Sequence, residues 1–478
     1  MRKIFAPFAL LSVVLALASC LGSDDSNVTY YDDTAITAFT LGTLKRTIHT
    51  LDDDGEDSTY TATISGSNYY FYIDQDKGEI YNPDSLPTGT NNEKVLCTVT
   101  SKNAGVVFIK NIDSDTLVYY SSTDSIDFSE PREFLVFSLS GLYYKTYTVS
   151  VNVHQEDSLE FNWSQKTTDT DAFGTMTAMR AVAKDSNVYV FGSNGSATKA
   201  YYTSTSDGDS WTALSLDSRI SSDAEAYDNV ILKDNYFYIL CGDQQLLRSA
   251  DGNTWEDVAT AEIDKLVGAG GEDILYGYSA SGGIMISEDG GATWASDLLS
   301  DDAVYLPTKN LHCSITDLAT NDDAAQVLIV GNRDETTYPE DTTGVSWTKI
   351  EEYADDAITH SWMYQDLSDY TDYALPRMEG MTIVKYGKYL VALGGQGLGA
   401  STEEAYTTIY YSPDKALSWH KDDDMFYYPD DFDTSVTAVA AACDENNYLW
   451  VICGGTGQVW KGRLNIMGWS TEQTTFTE

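Results

Sequence analysis

The sequence predicts an all-β chain in two parts, a sandwich of strands followed by a ring of six repeated sheets, and three observations carry that expectation. Tyr and Thr abound while Lys, Arg and Glu are thin, a composition that suits pleated, half-buried surfaces. Trp163, Trp211, Trp255, Trp294, Trp347, Trp419 and Trp469 mark steps of roughly 40 to 50 residues with one longer, the period of a β-propeller blade and not of a helical repeat. Six steps make six blades. The third observation is a turn that recurs at one place in the repeat.

Its fullest form is Ser287-Glu288-Asp289-Gly290-Gly291-Ala292-Thr293-Trp294. Small polar side chains there are suited to bond the backbone, glycines supply positive φ, and the Trp is expected to pack beside the strand that follows. Residues 412–419, with Asp414 and Trp419, repeat the full form; residues 205–211, with Asp207 and Trp211, and 249–255, with Asp251 and Trp255, are one residue shorter. A worn copy, Asp341 to Trp347, fills the gap. These turns resemble the Asp-box, or BNR, repeat of sialidase-like propellers. The resemblance implies a fold and no chemistry, because such turns sit on blade peripheries. Each interval also holds two apolar strands joined by a polar turn, as in residues 180–192, 229–242 and 438–455. Trp163 precedes the first full blade and is read as part of an outer strand closing the last blade across the ring, which removes free sheet edges.

The first part, residues 33–156, carries seven strand-like runs, the cleanest being residues 145–153, where Tyr147, Val149, Val151 and Val153 alternate onto one face. An immunoglobulin-like β-sandwich is expected there, without a Cys-Trp-Cys core. Residues 84–90 and 124–128 together with the closing strand resemble the N-terminal domain of a family of Bacteroidetes surface lipoproteins. That likeness makes the domain a spacer and supplies no activity.

Residues 1–19 read as a lipoprotein signal peptide. Arg2 and Lys3 form a basic start, residues 5–17 an apolar run, and Leu17-Ala18-Ser19-Cys20 a small-residue cleavage site ending on cysteine. This resembles a bacterial lipobox and implies lipidation of Cys20 and attachment to a membrane. The following residues, with Asp24 and Asp25 inside an acidic tether of residues 20–32, resemble the signal that sends Bacteroidetes lipoproteins to the exterior of the outer membrane. The propeller is assigned residues 157–478, and a monomer is expected.

A formal net charge of -46 would repel a phosphate backbone, so nucleic-acid binding is not expected. Beyond Cys20 an odd number of cysteines remains, with no Cys-x-x-Cys pair; Cys241 and Cys453 occupy equivalent strand positions and read as small buried residues. His312 and Cys313 are neighbours in a strand and point to opposite faces, so they are no ready nucleophile pair. No cofactor is evident. Calcium is the open alternative at the Asp-rich loop of residues 51–57, whose spacing is not that of an EF-hand.

Ligand-binding candidates are the residues near the starts of the innermost strands, Arg180, Asp228, His312, Arg377 and Glu379, joined by Trp362 from a long aromatic loop spanning residues 353–373. Arg377 leads because an arginine fork suits a carboxylate or sugar hydroxyls. The arginine-bearing Phe/Tyr-Arg-Ile-Pro motif of sialidases is absent, and no catalytic residue is assigned. The expected function is a non-catalytic surface lipoprotein binding an extracellular glycan or protein; the alternative is an Asp-box glycoside hydrolase or lyase acting on extracellular polysaccharide.

Overall fold

The computed structural model describes residues 30–51, 57–353, 358–367, 370–421 and 425–469. Residues 1–19, read from sequence as a signal peptide, Cys20, most of the expected tether and residues 52–56 of the calcium candidate lie outside the described residues. Two compact units divide the chain, the first comprising Met1–Ser158 together with Trp469–Glu478 and the second Leu159–Gly468.

In the first unit, alternation builds a six-stranded sheet in the order Tyr72–Asp74, Glu79–Tyr81, Tyr144–Ser150, Arg132–Phe137, Val106–Lys110, Leu117–Tyr119. Tyr147 and Val149, with Phe134 and Val136 on the adjoining strand, are fully buried and give the sheet one core face. The ribbon of Ile36–Leu41 paired with Cys97–Ser101 brings Ile36, Phe39 and Leu41 to the same core. Glu79–Tyr81 pairs with Tyr144–Ser150 in parallel, so the sheet is mixed, whereas immunoglobulin sheets are antiparallel.

The second unit holds six four-stranded antiparallel sheets. Sheet I comprises Ala178–Lys184, Asn187–Ser193, Thr198–Ser204 and Thr212–Ala213; sheet II, Val230–Lys233, Tyr236–Cys241, Gln245–Ser249 and Glu256–Thr260; sheet III, Lys265–Ala269, Leu275–Tyr278, Ile284–Ser287 and Ala295–Ser296. Sheet IV comprises Lys309–Leu318, Asn321–Asn332, Val345–Glu352 and Met363–Gln365; sheet V, Thr382–Tyr386, Tyr389–Leu393, Tyr410–Ser412 and His420–Lys421. Sheet VI takes Ala438–Cys443, Leu449–Gly454 and Val459–Leu464 from the end of the unit and Phe161–Gln165 from its beginning. The latter pairs Phe161 with Leu464 and Gln165 with Trp460, and the Trp163 indole donates to the Tyr427 carbonyl at 2.8 Å.

Each second strand is apolar on both faces because each sheet is sandwiched between two others. Val188 and Val190 pack with Trp450 and Ile452 of sheet VI, while the intervening Tyr189 and Phe191 pack with Phe237 and Ile239 of sheet II. The same two-sided division continues through sheets III and IV to Leu390 and Ala392, which face sheet IV, and Val391 and Leu393, which face sheet VI. Six such apolar layers close the circuit. Close approach is tightest between sheets III and IV, where a Cβ on Gly268 would lie 2.2 Å from the Cβ of Cys313; a side chain there would force the inner strands apart.

The recurrent turn links third and fourth strands in sheets II, III and V with one hydrogen-bond pattern. In sheet III the Ser287 hydroxyl bonds Asp289 at 2.8 Å and accepts from the Gly291 amide at 2.8 Å; Asp289 accepts from the Thr293 amide and hydroxyl, and the Trp294 indole donates to the Gly291 carbonyl. Ser249, Asp251 and Trp255 in sheet II and Ser412, Asp414 and Ser418 in sheet V repeat it. In sheet I Asp207 accepts from Ser210, but Thr203, two residues earlier than expected, receives the Gly208 amide. Residues 341–347 are not a copy. They lie between the second and third strands of sheet IV, Trp347 sits within the third strand, and Asp341 instead binds Arg333 at 2.6 Å.

Candidate functional site: the cavity along the inner strands

A cavity of about 1160 Å³ runs along the first strands of all six sheets. Its walls are open because those strands place small residues there: Ala181 and Ala183 in sheet I, Gly268 and Gly270 at sheet III, Ser314 in sheet IV, Ala441 and Ala442 in sheet VI. Two inner strands bulge beside it. Register slips between Leu266 and Gly268 and between Lys309 and His312, and Asn310 takes a φ of 51°. Bulges re-aim side chains and gather at barrel rims and binding sites.

The lining holds five cations, Arg180, Lys233, Lys265, Lys309 and Lys385, and four acids, Glu225, Asp228, Asp234 and Glu379. Against a chain with 28 basic and 74 acidic residues, this is a local reversal of charge balance. Three of these groups meet at the strand starts. Lys265 Nζ contacts Asp228 at 2.5 Å and the Thr308 carbonyl at 3.4 Å; Arg180 lies 3.9 Å from the same carboxylate and 3.4 Å from the Leu311 carbonyl, which the bulge presents to it. Burial alone would raise the Asp228 pKa, but Lys265 and Arg180 outweigh it, with Lys309 adding to them, and hold the carboxyl below its ordinary range. Asp228 is therefore ionised at neutral pH. Glu379 accepts from the Gln396 amide at 3.1 Å on the side formed by sheet V.

His312 also lines the cavity, as a neutral ring: burial first, then the nearby Arg180 charge, pushes its pKa down to about 3. Burial pushes the Cys313 thiol up to about 12, which leaves no thiolate nucleophile there. Cys241 and Cys453 are buried strand residues.

Arg377, the leading candidate from sequence, is corrected. Its side chain is fully buried, and its guanidinium donates to the carbonyls of Tyr338 at 2.6 Å and Arg333 at 2.7 Å. It ties down the loop between the second and third strands of sheet IV and does not line the cavity. Trp362 is corrected likewise. It is fully buried and donates to Asp297 at 2.8 Å, beside the buried Lys349–Asp297 pair. Part of its loop is tied to neighbouring elements, Tyr353 donating to Glu351, His360 pairing with Glu352 and Tyr364 stacking on Tyr305, while Tyr370 and Tyr373 are exposed. Lys233, Lys265, Lys309 and Lys385 line the cavity but were not among the candidates from sequence. Their signal was a lysine recurring at a first strand in a lysine-poor chain. Among the described residues no cluster of three or more His, Cys, Asp or Glu side chains is disposed to hold a metal.

Family models put this architecture in context. That of the DUF6242 beta propeller domain matches residues 157–472, and that of the DUF6242 N-terminal domain, a domain of unknown function, matches residues 39–151. The chain belongs to the DUF6242 family. No curated protein matches it. Among solved structures, YCF48 from Cyanidioschyzon merolae is 14% identical with a TM-score of 0.33, over 63% of this chain and 98% of that one. A calcium structure of a Trichoderma reesei carbohydrate-active enzyme of family AA12 is 12% identical with a TM-score of 0.37, over 64% and 95%. The Trypanosoma rangeli sialidase in complex with 2,3-difluorosialic acid is 11% identical with a TM-score of 0.36, over 64% and 59%. Likenesses of this size say nothing of ligand or reaction in the DUF6242 propeller. Its own arginines are more informative. Arg180 lines the cavity, while Arg219, Arg248 and Arg333 pair with Asp217, Glu256 and Asp341, Arg377 binds backbone, and Arg463 donates to the Asn446 carbonyl.

Proposed function

We propose that this chain is a non-catalytic, lipid-anchored surface protein of a Bacteroidetes outer membrane, whose six-bladed Asp-box propeller binds an extracellular ligand in its central cavity. The observation that carries the reading is the cavity itself: open, walled by small residues, and holding charged groups fixed by one another. Its volume is that of a pocket for a glycan segment, and a folded protein partner would need a broad face instead. Asp228, held ionised by Lys265 and Arg180, is unsuited to the general acid that glycoside hydrolysis requires. The four-stranded sheets act as blades, and the N-terminal domain acts as an immunoglobulin-sized spacer behind a lipid at Cys20.

A glycan array probed with the purified full-length chain, beside a Ser314→Trp variant that obstructs the cavity, tests the binding reading. Binding by the native chain and its loss in the variant is the expected result. Binding that survives the obstruction would sink it, and release of shorter saccharides from a bound glycan, read by mass spectrometry, would establish the hydrolase or lyase instead. Mass spectrometry of the N-terminus tests the anchor: the native chain should begin at a diacylated Cys20, and Cys20→Ala should remain unprocessed.

A further inference from the structure

Resting on the reading of the cavity as the ligand site, we infer that its ligand is an acidic saccharide, whose carboxylate or sulfate is received by Arg180, Lys265 and Lys309. Arg180 and Lys265 both contact the Asp228 carboxylate there, and Lys309 stands on the adjoining strand. Asp228 neutralises one charge of the three, and the same contacts fix Lys265 and Arg180, each about one-fifth exposed, at the cavity wall. Lys309, exposed on the adjoining bulged strand, has its charge within electrostatic reach of Asp228. The lining's five cations against four acids stand in a chain whose net charge is -46. At this wall an anion meets partly desolvated donors held in place by Asp228.

Saccharide chemistry follows from the rest of the lining. Opposite the cationic arc, Glu379 and Gln396 offer acceptors and a donor to hydroxyls, and Thr177, Thr382 and Thr434 add further hydroxyl partners. A ligand with one acidic group and several hydroxyls satisfies both sides. A purely anionic one would leave Glu379 facing it unpaired.

Titration calorimetry of the full-length chain with trigalacturonate, a sulfated carrageenan disaccharide, neutral galactotriose and a tetraglutamate peptide provides the test. One or both acidic saccharides should bind, and which one names the anion. Lys309→Gln and Arg180→Gln should each weaken that binding roughly 10- to 100-fold, as losing a charge-assisted hydrogen bond does. Lys309 is exposed, so its variant keeps the inference testable if Arg180→Gln fails to fold. Galactotriose binding as tightly as the acidic probes, binding indifferent to Lys309→Gln, or no binding by either acidic probe overturns the inference. Tetraglutamate binding in place of the saccharides would also overturn it, in favour of an acidic peptide. If a neutral glycan binds and Ser314→Trp abolishes it, the cavity reading stands while the acidic-saccharide inference falls. Should Ser314→Trp not fold, Thr434→Trp on the exposed rim takes its place.

Discussion

Arg377 and Asp228 are both charged groups in the interior of the second unit, and their surroundings give them opposite uses. Arg377 supplies donors to backbone carbonyls that no strand partner reaches, so it holds a loop. Arg377→Lys keeps the charge but loses the planar fork that reaches both carbonyls, and should lower stability by about 3 kcal/mol, measured by urea unfolding, without altering ligand affinity in the folded fraction. Asp228 is the counter-charge of two cations. Because its folded pKa lies below the unfolded value near 3.9, its stabilisation is complete above that value and is lost as pH falls through the folded one. The melting midpoint of Asp228→Asn should therefore fall less than that of the native chain between pH 6 and pH 3. At neutral pH the variant should be less stable by about 2 kcal/mol, since two cations lose their partner while keeping part of their hydration. An equal acid slope in both proteins would show that Asp228 is not the group responsible.

At the scale of the element, the repeated turn shows how chemistry and packing separate. The polar bonds of residues 287–294 and 412–419 are alike, yet Trp419 is 3% exposed and packs with Leu390 and Ala392, whereas Trp294 is half-buried. Trp419→Ala should thus cost about 3 to 5 kcal/mol and Trp294→Ala about half that, compared by thermal unfolding; equal losses would mean that burial does not govern the turn's contribution. The sheets were legible because each has two adjacent apolar strands and sheets II, III and V share a turn with a fixed polar pattern, as Tyr236–Cys241 and Ser249 to Trp255 illustrate. Sheet IV misled because its Asp341 to Trp347 segment mimics the turn while serving a different loop. Thr43–Leu51 escaped notice because Lys45, Arg46 and His49 break the apolar alternation; it pairs with Asp57–Ser65, and Leu44 and Ile64 tie the hairpin to the core of the unit. In the site, Arg180, Asp228, His312 and Glu379 were found from their places at strand starts. Whether Arg377 faced a cavity or a loop depended on the path of residues 333–345, which no local pattern encodes.

On the scale of the whole molecule, ring closure rests on five residues. Phe161–Gln165 complete sheet VI, and Phe161, 2% exposed, packs with Tyr386 and Phe426. A chain beginning at residue 159 should fold and stay monomeric, while one beginning at residue 166 should expose the edge of Val459–Leu464 and associate, as sedimentation would reveal. A monomeric chain from residue 166 with an unchanged melting midpoint would contradict that role. The same closure sets a clock on biosynthesis. The partner of Phe161 is Leu464, 303 positions later by subtraction, so at about 5 to 20 residues per second the first strand waits roughly 15 to 60 s for the ribosome to deliver its mate. Until then the growing chain carries sheets without a finished ring, and the edge that Phe161–Gln165 will cover has no partner.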